Sequence, residues 1–406
     1  MHFERANSTQ KALQIFNEEL ITLRLRCKLS SLGSEPQTTR CWLFHSDNTI
    51  ADVGNGKGIG LQSEVSAKYE ALEHYVSTQS SHLQSQCLAF SFSEIEDSLS
   101  HINKEILPIN FKGQYKTKTA PWVSLKGLSN NSSILLPYFL VNPDYRKQTF
   151  SYDDLDYATF SEIPTNNGTA IGSTFDEAIL HAINELIERD AISCFLLATF
   201  GKKTPQLIKC IDKTSLPYSI SQIIVQLEQD YDEELLIVDI STDLRLSIFL
   251  ATFTRQNQLI QPMGFGASLG AVCALERAIL EALQSLHLYD ETSRLEDKEV
   301  LTRFNQWPKL HQCAQCDIKS VIKAGLFRQT KFQDSEGLPV GINDTLISTK
   351  KALEEKNLSI YYATHYQSES GITCVQAIIP GIEQFHRVKY GNFVIPGERG
   401  RAVLQT

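Results

Sequence analysis

The chain has 406 residues, 42% hydrophobic and 21% charged, a globular balance that excludes disordered and fibrous classes and suffices for a substantial core. Its formal net charge of −9 argues against non-specific binding to nucleic acid or an anionic membrane, while leaving room for a local basic pocket. The opening MHFERANSTQKALQ lacks the basic-then-apolar pattern of a signal peptide, and no run reaches the roughly 18 apolar residues of a membrane span. Nine cysteines, an odd number scattered along the chain, fit reduced thiols, so the expected compartment is the cytoplasm.

From the N-terminus, STQKALQIFNEELITLRLRCKLS (8–30) begins as a capped helix and passes into a strand. TRCWLFHSD reads as a strand, and DVGNGKGIGLQSEVSAKYEALEHYVS as a Gly-rich turn feeding a helix. Residues 87–160 alternate short apolar runs with Pro, Gly and Asn, the pattern of strands and loops. TNNGTAIGSTFDEAILHAINELIERDAISCFLL is a second Gly-rich loop and a long helix, with Thr174 as N-cap three residues before Glu177. ELLIVDIS and LSIFLATFTR are strand candidates, and MGFGASLGAVCALERAILEALQSLHL is a third Gly-rich loop and helix. The stretch 290–350 is amphipathic and uninformative. Within it HQCAQC (His311, Cys313, Cys316) has metal-like spacing, but no second Cys pair follows to complete four zinc ligands, so it reads as an incidental surface turn. SIYYATHY and TCVQAIIP close the core as strands. Strands and helices mix without regular β-α-β alternation, which predicts an α+β fold.

Helical geometry, about 100° per residue, turns spacing into direction. With Glu177 at zero, His181 falls at about 40°, Asn184 at about −20°, Glu185 at about 80° and Glu188 at about 20°. Five polar side chains therefore share one arc, and Ala178, Ile179, Leu180, Ala182, Ile183, Leu186 and Ile187 take most of the rest. That reverses the proportions of a surface helix. Ser66, Glu70 and Glu73 share about 60° on the first helix, as do Arg277, Glu281 and Gln284 on the third.

A buried carboxylate without a partner is costly and protonates instead. Four or five converging on one cavity need positive charge, and the basic residues at hand are few: Lys57, Arg189 and Arg277. Divalent cations answer this need, and oxygen-only donors without a His or Cys set favour Mg²⁺. Mg²⁺ is usually completed by substrate phosphates, for which Gly-rich loops entering helix N-termini offer backbone N–H donors. From the residues alone, the reading is a nucleoside triphosphate held through Mg²⁺ by carboxylates. A single Glu-x-x-Glu is more often a solvated face than a ligand pair; the signal is the same construction occurring three times. GKG at 56–58 lacks the spacing of a P-loop, and GFGASLG lacks a downstream ribose-binding acid.

GKGIGLQSEVSAKYEALEHY, NNGTAIGSTFDEAILHAINELIERDA and GFGASLGAVCALERAILEALQS resemble, in order, the three motif regions of the YcaO superfamily. The resemblance implies one YcaO-type α+β domain over 1–406, with the motif-bearing core at about 40–290, residues 291–406 completing it, and long helices lining a central nucleotide pocket. It also implies ATP-dependent activation of a peptide backbone amide. A nucleophile adds to the carbonyl, ATP phosphorylates the oxyanion, and phosphate leaves; Cys, Ser or Thr then yields an azoline, and other nucleophiles a thioamide or amidine. Carried over by residue, Glu70, Glu73, Glu185 and Glu188 match Mg²⁺-binding glutamates. Glu177 matches a further glutamate of the metal-nucleotide site, and Arg277 and Glu281 match the pair at the phosphate end. Lys57, Ser66 and Ser173 fall near the nucleotide, and Arg189 is read as neutralising the acidic cluster.

The chain departs from the family pattern in three places. His74 replaces the usual Arg of the first motif, which is expected to remove a fixed charge beside Glu73. Ser173 replaces the common Asn of the second, keeping a hydroxyl able to bond a phosphate or water. The ending VIPGERGRAVLQT has Pro396 alone where many azoline-forming members carry P-x-P-x-P, and it resembles members outside that group, including those paired with sulfur-delivery partners. With the first motif beginning by residue 54, no E1-like or winged-helix segment for a precursor's leader is evident, so a separate partner protein is expected. The leading expectation is cyclodehydration of a ribosomally made precursor peptide; thioamide formation and a non-catalytic ATP-binding scaffold are the rivals. Cys194 and Cys273 are read as core residues, His181 as an indirect contributor through hydrogen bonding, and a homodimer as the base-rate assembly.

Overall fold

The structure, a computed structural model, describes residues 3–99, 116–129, 132–147, 149–160, 166–254 and 258–405. Strands Arg26–Leu32, Gln37–Phe44 and Ile50–Gly58 form an antiparallel sheet in chain order. A five-stranded sheet runs in the spatial order Met263–Ser268, Ser247–Phe253, Leu235–Asp239, Ile208–Asp212, Phe327–Lys331, its last pair parallel. A third sheet runs Leu88–Ser91, Thr119–Gly127, Tyr361–Gln367, Thr373–Ile378, Thr169–Gly172, with Ser133–Pro137 paired to Thr119–Gly127. Helices pack against all three, giving the mixed α+β architecture expected from the pattern. No helix among the described residues is long and apolar enough to cross a membrane.

Three helices matter for the site: Leu61–Thr78, Phe175–Leu196 and Ala271–Leu288, here the first, second and third site helices. Thr174 caps the second as expected, its side chain accepting from the Glu177 N–H. The three Gly-rich loops expected before them are corrected: Ile50–Gly58, Thr169–Gly172 and Met263–Ser268 are strands. The glycines serve packing. Residues two apart on a strand share a face, so Gly54 and Gly56, or Gly264 and Gly266, clear that face of side chains and let a helix lie against bare backbone. A Cβ on Gly54 would come 2.2 Å from the Ala71 nitrogen, and one on Gly56 2.1 Å from the Ala67 nitrogen. On the other sheet, Gly264 and Gly266 would each meet third-helix backbone at 2.1 Å, at Ala282 and Ala274. The alanines recur every fourth residue, which keeps them on one helix stripe.

Sixteen of the 22 residues of the second site helix are buried, as its apolar circumference requires. The main hydrophobic cluster joins it to strand residues Val238, Ile248 and Phe265 and to Phe304, Val375 and Val388. Cys313 and Cys316 belong to that cluster, each 1% exposed, so the surface turn expected at HQCAQC is overturned. Helix Pro308–Gln315 turns its apolar side inward, the Cys313 thiol donates to the Leu196 carbonyl, and burial pushes that thiol up to about 12. Cys194 is also buried, as expected, whereas Cys273 is only partly covered.

Gly266→Ala should destabilise the protein by about 3 kcal/mol or more, because the new methyl meets backbone rather than a movable side chain. Gly201→Ala, whose Cβ would have no neighbour nearer than 3.4 Å, should leave stability close to wild type. Denaturant unfolding of the two variants side by side checks this.

Candidate active site

The first and second site helices bring their Glu-x-x-Glu pairs together. Glu73 accepts a hydrogen bond from the Ile171 N–H at 2.9 Å, and Glu185 accepts from the Gly168 N–H at 3.3 Å, so both lean on the same strand region. Arg189 lies 3.5 Å from both Glu185 and Glu188 and partly neutralises them. Glu281, from the third helix, pairs with Lys57 at the end of strand Ile50–Gly58. Burial pushes the Glu73 carboxyl up to about 8, with the negative charge of Glu185 as the next cause. Burial pushes Glu188 up to about 7 despite Arg189, and it raises Glu70 and Glu185 as well. Desolvation heads the causes at all four, so ionising the cluster carries a surplus cost that its protein neighbours do not cancel.

That surplus is what a divalent cation would relieve. Among the described residues no three His, Cys, Asp or Glu side chains converge closely enough to hold a metal unaided. The oxygen-only donor set fits Mg²⁺ nonetheless, because Mg²⁺ takes one or two carboxylates and completes its shell with water and phosphate oxygens. Asn184, on the same arc of the second helix, is buried and its Oδ1 has no hydrogen-bond partner, leaving one further oxygen available.

Beside the acids lies a group of cations. His181 is exposed to solvent, yet the protein crowded around it, and then the charges of Arg5, Arg277 and Lys57, lower its proton affinity and keep the ring neutral. Glu177 stands with this group, its Oε1 taking Arg5 at 2.9 Å and its Oε2 the Ser173 hydroxyl at 2.6 Å and N–H at 3.2 Å. Both oxygens are therefore engaged away from the other four glutamates. Ser66 lies partly exposed one turn before Glu70. Arg277 and Glu281, expected as a pair, are each held by another residue: Arg277 by Glu4 at 2.7 Å and Glu281 by Lys57.

Two further points differ from the sequence reading. His74 keeps a positive charge: its Nδ1 donates to the Val53 carbonyl at 2.9 Å and lies 3.7 Å from Asp52, which lifts its pKa to about 9. The N-terminal segment also enters the site, with Glu4, Arg5 and Asn7 reaching Arg277, Glu177 and Ser173. No local signal marks such contacts, because the partners lie more than 160 residues away in sequence. Near the end of the chain, Arg399 grips the buried Asp190 of the second site helix through two hydrogen bonds of 2.7 and 2.8 Å. A polar cavity of about 420 Å³ borders His74, lined also by Asp52, Asn142, Asp144, Thr169 and His365.

The acidic cluster should make the ligand-free protein lose stability as pH rises. A carboxyl raised in the folded state stabilises below its ordinary pKa, near 4.5, and that contribution is lost as pH climbs toward about 8 for Glu73 and about 7 for Glu188. Glu73→Gln should therefore melt higher than wild type above pH 8 without ligand, with a smaller difference near pH 6. Thermal denaturation across that range tests the sign.

A family model described as YcaO cyclodehydratase, ATP- and Mg²⁺-binding, matches residues 55–383. An uncharacterised protein from the tfuA 3′ region of Rhizobium leguminosarum bv. trifolii is 29% identical over 179 residues, covering 42% of this chain and 39% of its own length. Among solved structures, YcaO from Methanopyrus kandleri bound with AMPPCP and Mg²⁺ superposes with a TM-score of 0.65 at 15% identity, covering 97% of both chains. A heterocyclase in complex with substrate and cofactor gives a TM-score of 0.63 at 18% identity, covering 94% of this chain. The present chain spans only 54% of that heterocyclase, so it corresponds to about half of the larger protein. The family match covers most of the sequence and includes all three motif helices, and the chain is a member of the YcaO family.

Proposed function

We propose that the protein is an ATP- and Mg²⁺-dependent enzyme that activates peptide backbone amides by phosphorylation, its reaction being cyclodehydration of Cys, Ser or Thr in a ribosomally made precursor peptide. The observation that carries this reading is the meeting of two half-buried Glu-x-x-Glu pairs beside the cations Lys57, Arg5 and Arg277. Glu70, Glu73, Glu185 and Glu188 would hold the metal. Mg²⁺ when bound supplies electrostatic stabilisation for phosphoryl transfer. Lys57 and Arg277 present positive charge to the phosphates, Glu281 orients Lys57, and Glu177 with Ser173 fixes Arg5 at the rim. Ser66 and the Ser173 hydroxyl complete the nucleotide side.

In the reaction, a substrate thiol or hydroxyl adds to the adjacent amide carbonyl carbon and gives up its proton. The resulting oxyanion takes the terminal phosphoryl group from ATP, releasing ADP. Loss of the amide N–H proton with expulsion of phosphate then carries the former amide oxygen away and leaves a C=N bond. Amide oxygen is otherwise a poor leaving group, which is why the phosphoryl step is needed. We place the precursor peptide and a leader-binding or sulfur-delivering partner protein as its companions in the cytoplasm.

Thioamide formation is the second reading. It is favoured by the segment around Pro396, which has one proline and docks through Arg399 on Asp190 instead of carrying a Pro-rich run. Product mass separates them: loss of one water per residue for the azoline, oxygen replaced by sulfur for the thioamide.

Calorimetric titration of ATP with and without Mg²⁺ tests the common core of both readings. Wild type should bind only with Mg²⁺, and Glu185→Gln should bind at least about tenfold more weakly, or about 1.4 kcal/mol. Failure of wild type to bind with Mg²⁺, or unchanged affinity in the variant, would contradict the assignment.

A further inference from the structure

The segment Phe3–Asn7 lies across the starts of the second and third site helices and is pinned along its length. The Thr345 hydroxyl donates to the Phe3 carbonyl at 3.3 Å, and the Phe3 ring packs so closely on Gly270 that a Cβ there would come within 2.8 Å. At the other end Arg5 pairs with Glu177, and the Asn7 side-chain amide donates to the Ser173 hydroxyl at 2.8 Å. Between these anchors Glu4 turns inward and is 4% exposed. Its Oε1 accepts from the Ser268 hydroxyl at 2.6 Å, and the Ser268 oxygen in turn accepts from the Gly270 N–H at 3.0 Å. Its Oε2 lies 2.7 Å from Arg277 Nη2, while Arg277 Nη1 donates to the Ala267 carbonyl at 3.0 Å.

A guanidinium offers five N–H donors in a rigid plane. Glu4 and the Ala267 carbonyl hold one side of that plane, leaving other donors for a ligand. The Glu4 side chain is 2% exposed and the Arg277 side chain 24%, so the guanidinium keeps an access to solvent that Glu4 lacks. A carboxylate that competed with phosphate for Arg277 would sit in the open cleft and exchange with it. Glu4 is enclosed, with its own hydroxyl donor, on the sheltered side. Resting on the nucleotide reading above, we propose that Glu4 is a positioning residue for Arg277, aiming the guanidinium from behind at the terminal phosphates of the bound nucleoside triphosphate. A Gln at position 4 keeps the size but loses the ion pair, so the long arginine side chain regains rotamers that point elsewhere.

Calorimetric titrations of ATP and AMP with Mg²⁺, on wild type, Glu4→Gln, Glu4→Asp, Arg277→Gln and the Glu4→Gln/Arg277→Gln double variant, test this. Glu4→Gln should weaken ATP binding about tenfold and leave AMP binding unchanged, Glu4→Asp should recover most of the loss, and Glu4→Gln should add nothing once Arg277 is Gln. ATP binding by Glu4→Gln at wild-type strength overturns the proposal, as does an equal loss for ATP and AMP or a loss that persists in the Arg277→Gln background. A wild type that does not bind ATP would defeat the nucleotide reading itself, and this proposal with it; normal wild-type binding with an insensitive Glu4→Gln defeats the proposal alone. If Glu4→Gln does not fold, Ser268→Ala loosens Glu4 without removing a charge. It should weaken ATP binding in the same direction by a smaller factor, and wild-type affinity in that variant overturns the proposal.

Discussion

Four carboxylates from two helices sit half-buried near one another, and the cost of desolvating their charge is the constraint around which the site is organised. Burial raises all four, and Glu185 bears directly on Glu73. The fold offsets only part of this cost, through Arg189 beside Glu185 and Glu188, a protonated His74 beside Glu70 and Glu73, Lys57 near Glu70 and Glu188, and backbone groups of Asn55, Gly168 and Ile171. An arrangement kept only for stability would replace some of these acids with apolar residues. Retaining them is a cost the ligand-free protein carries, and the remedy that matches the donor set is a hard divalent cation with a polyphosphate.

Where the acids fall depends on how flush the helices lie on their sheets. The paired glycines of strands Ile50–Gly58 and Met263–Ser268 let alanine stripes of the first and third site helices rest on backbone, with no side-chain layer between. That geometry carries Lys57, at the strand end, to Glu281 on the opposite helix. The second helix meets strand glycine in the same way, a Cβ on Gly172 falling 2.6 Å from the Ala178 nitrogen, and it is also sunk in the main core and tied at Asp190 by Arg399.

Much of this was legible in the chain. The polar arcs on three otherwise apolar helices named the acids, since helical spacing maps directly onto direction and burial of the remaining faces follows. The strand candidates TRCWLFHSD, ELLIVDIS, LSIFLATFTR, SIYYATHY and TCVQAIIP each overlap one of the observed strands. The glycines were visible but their use was not: glycine in a phosphate-binding loop and glycine under a helix look alike until the facing alanines are placed in space. His74 was misjudged for a similar reason, because its charge is set by Asp52, a strand residue brought near only by the fold. Cys313 and Cys316, expected on a surface turn, lie in the main core because helix Pro308–Gln315 turns its apolar side inward, which local spacing does not reveal. Glu4 and Arg5 were invisible, as nothing local distinguishes FERAN from a solvated terminus.

If the half-buried glutamates receive a cation and nucleotide, proton exchange on binding reveals it most directly. Calorimetry of Mg²⁺–ATP binding in buffers of differing ionisation enthalpy, from about pH 6.5 to about pH 9.5, counts the protons released. Because Glu73 and Glu188 must ionise to serve the metal, release should be clear at about pH 7 and fade toward about pH 9.5, where both are already charged. Binding that exchanges no protons anywhere in that range would mean the cluster is not where the cation sits, and would contradict the account.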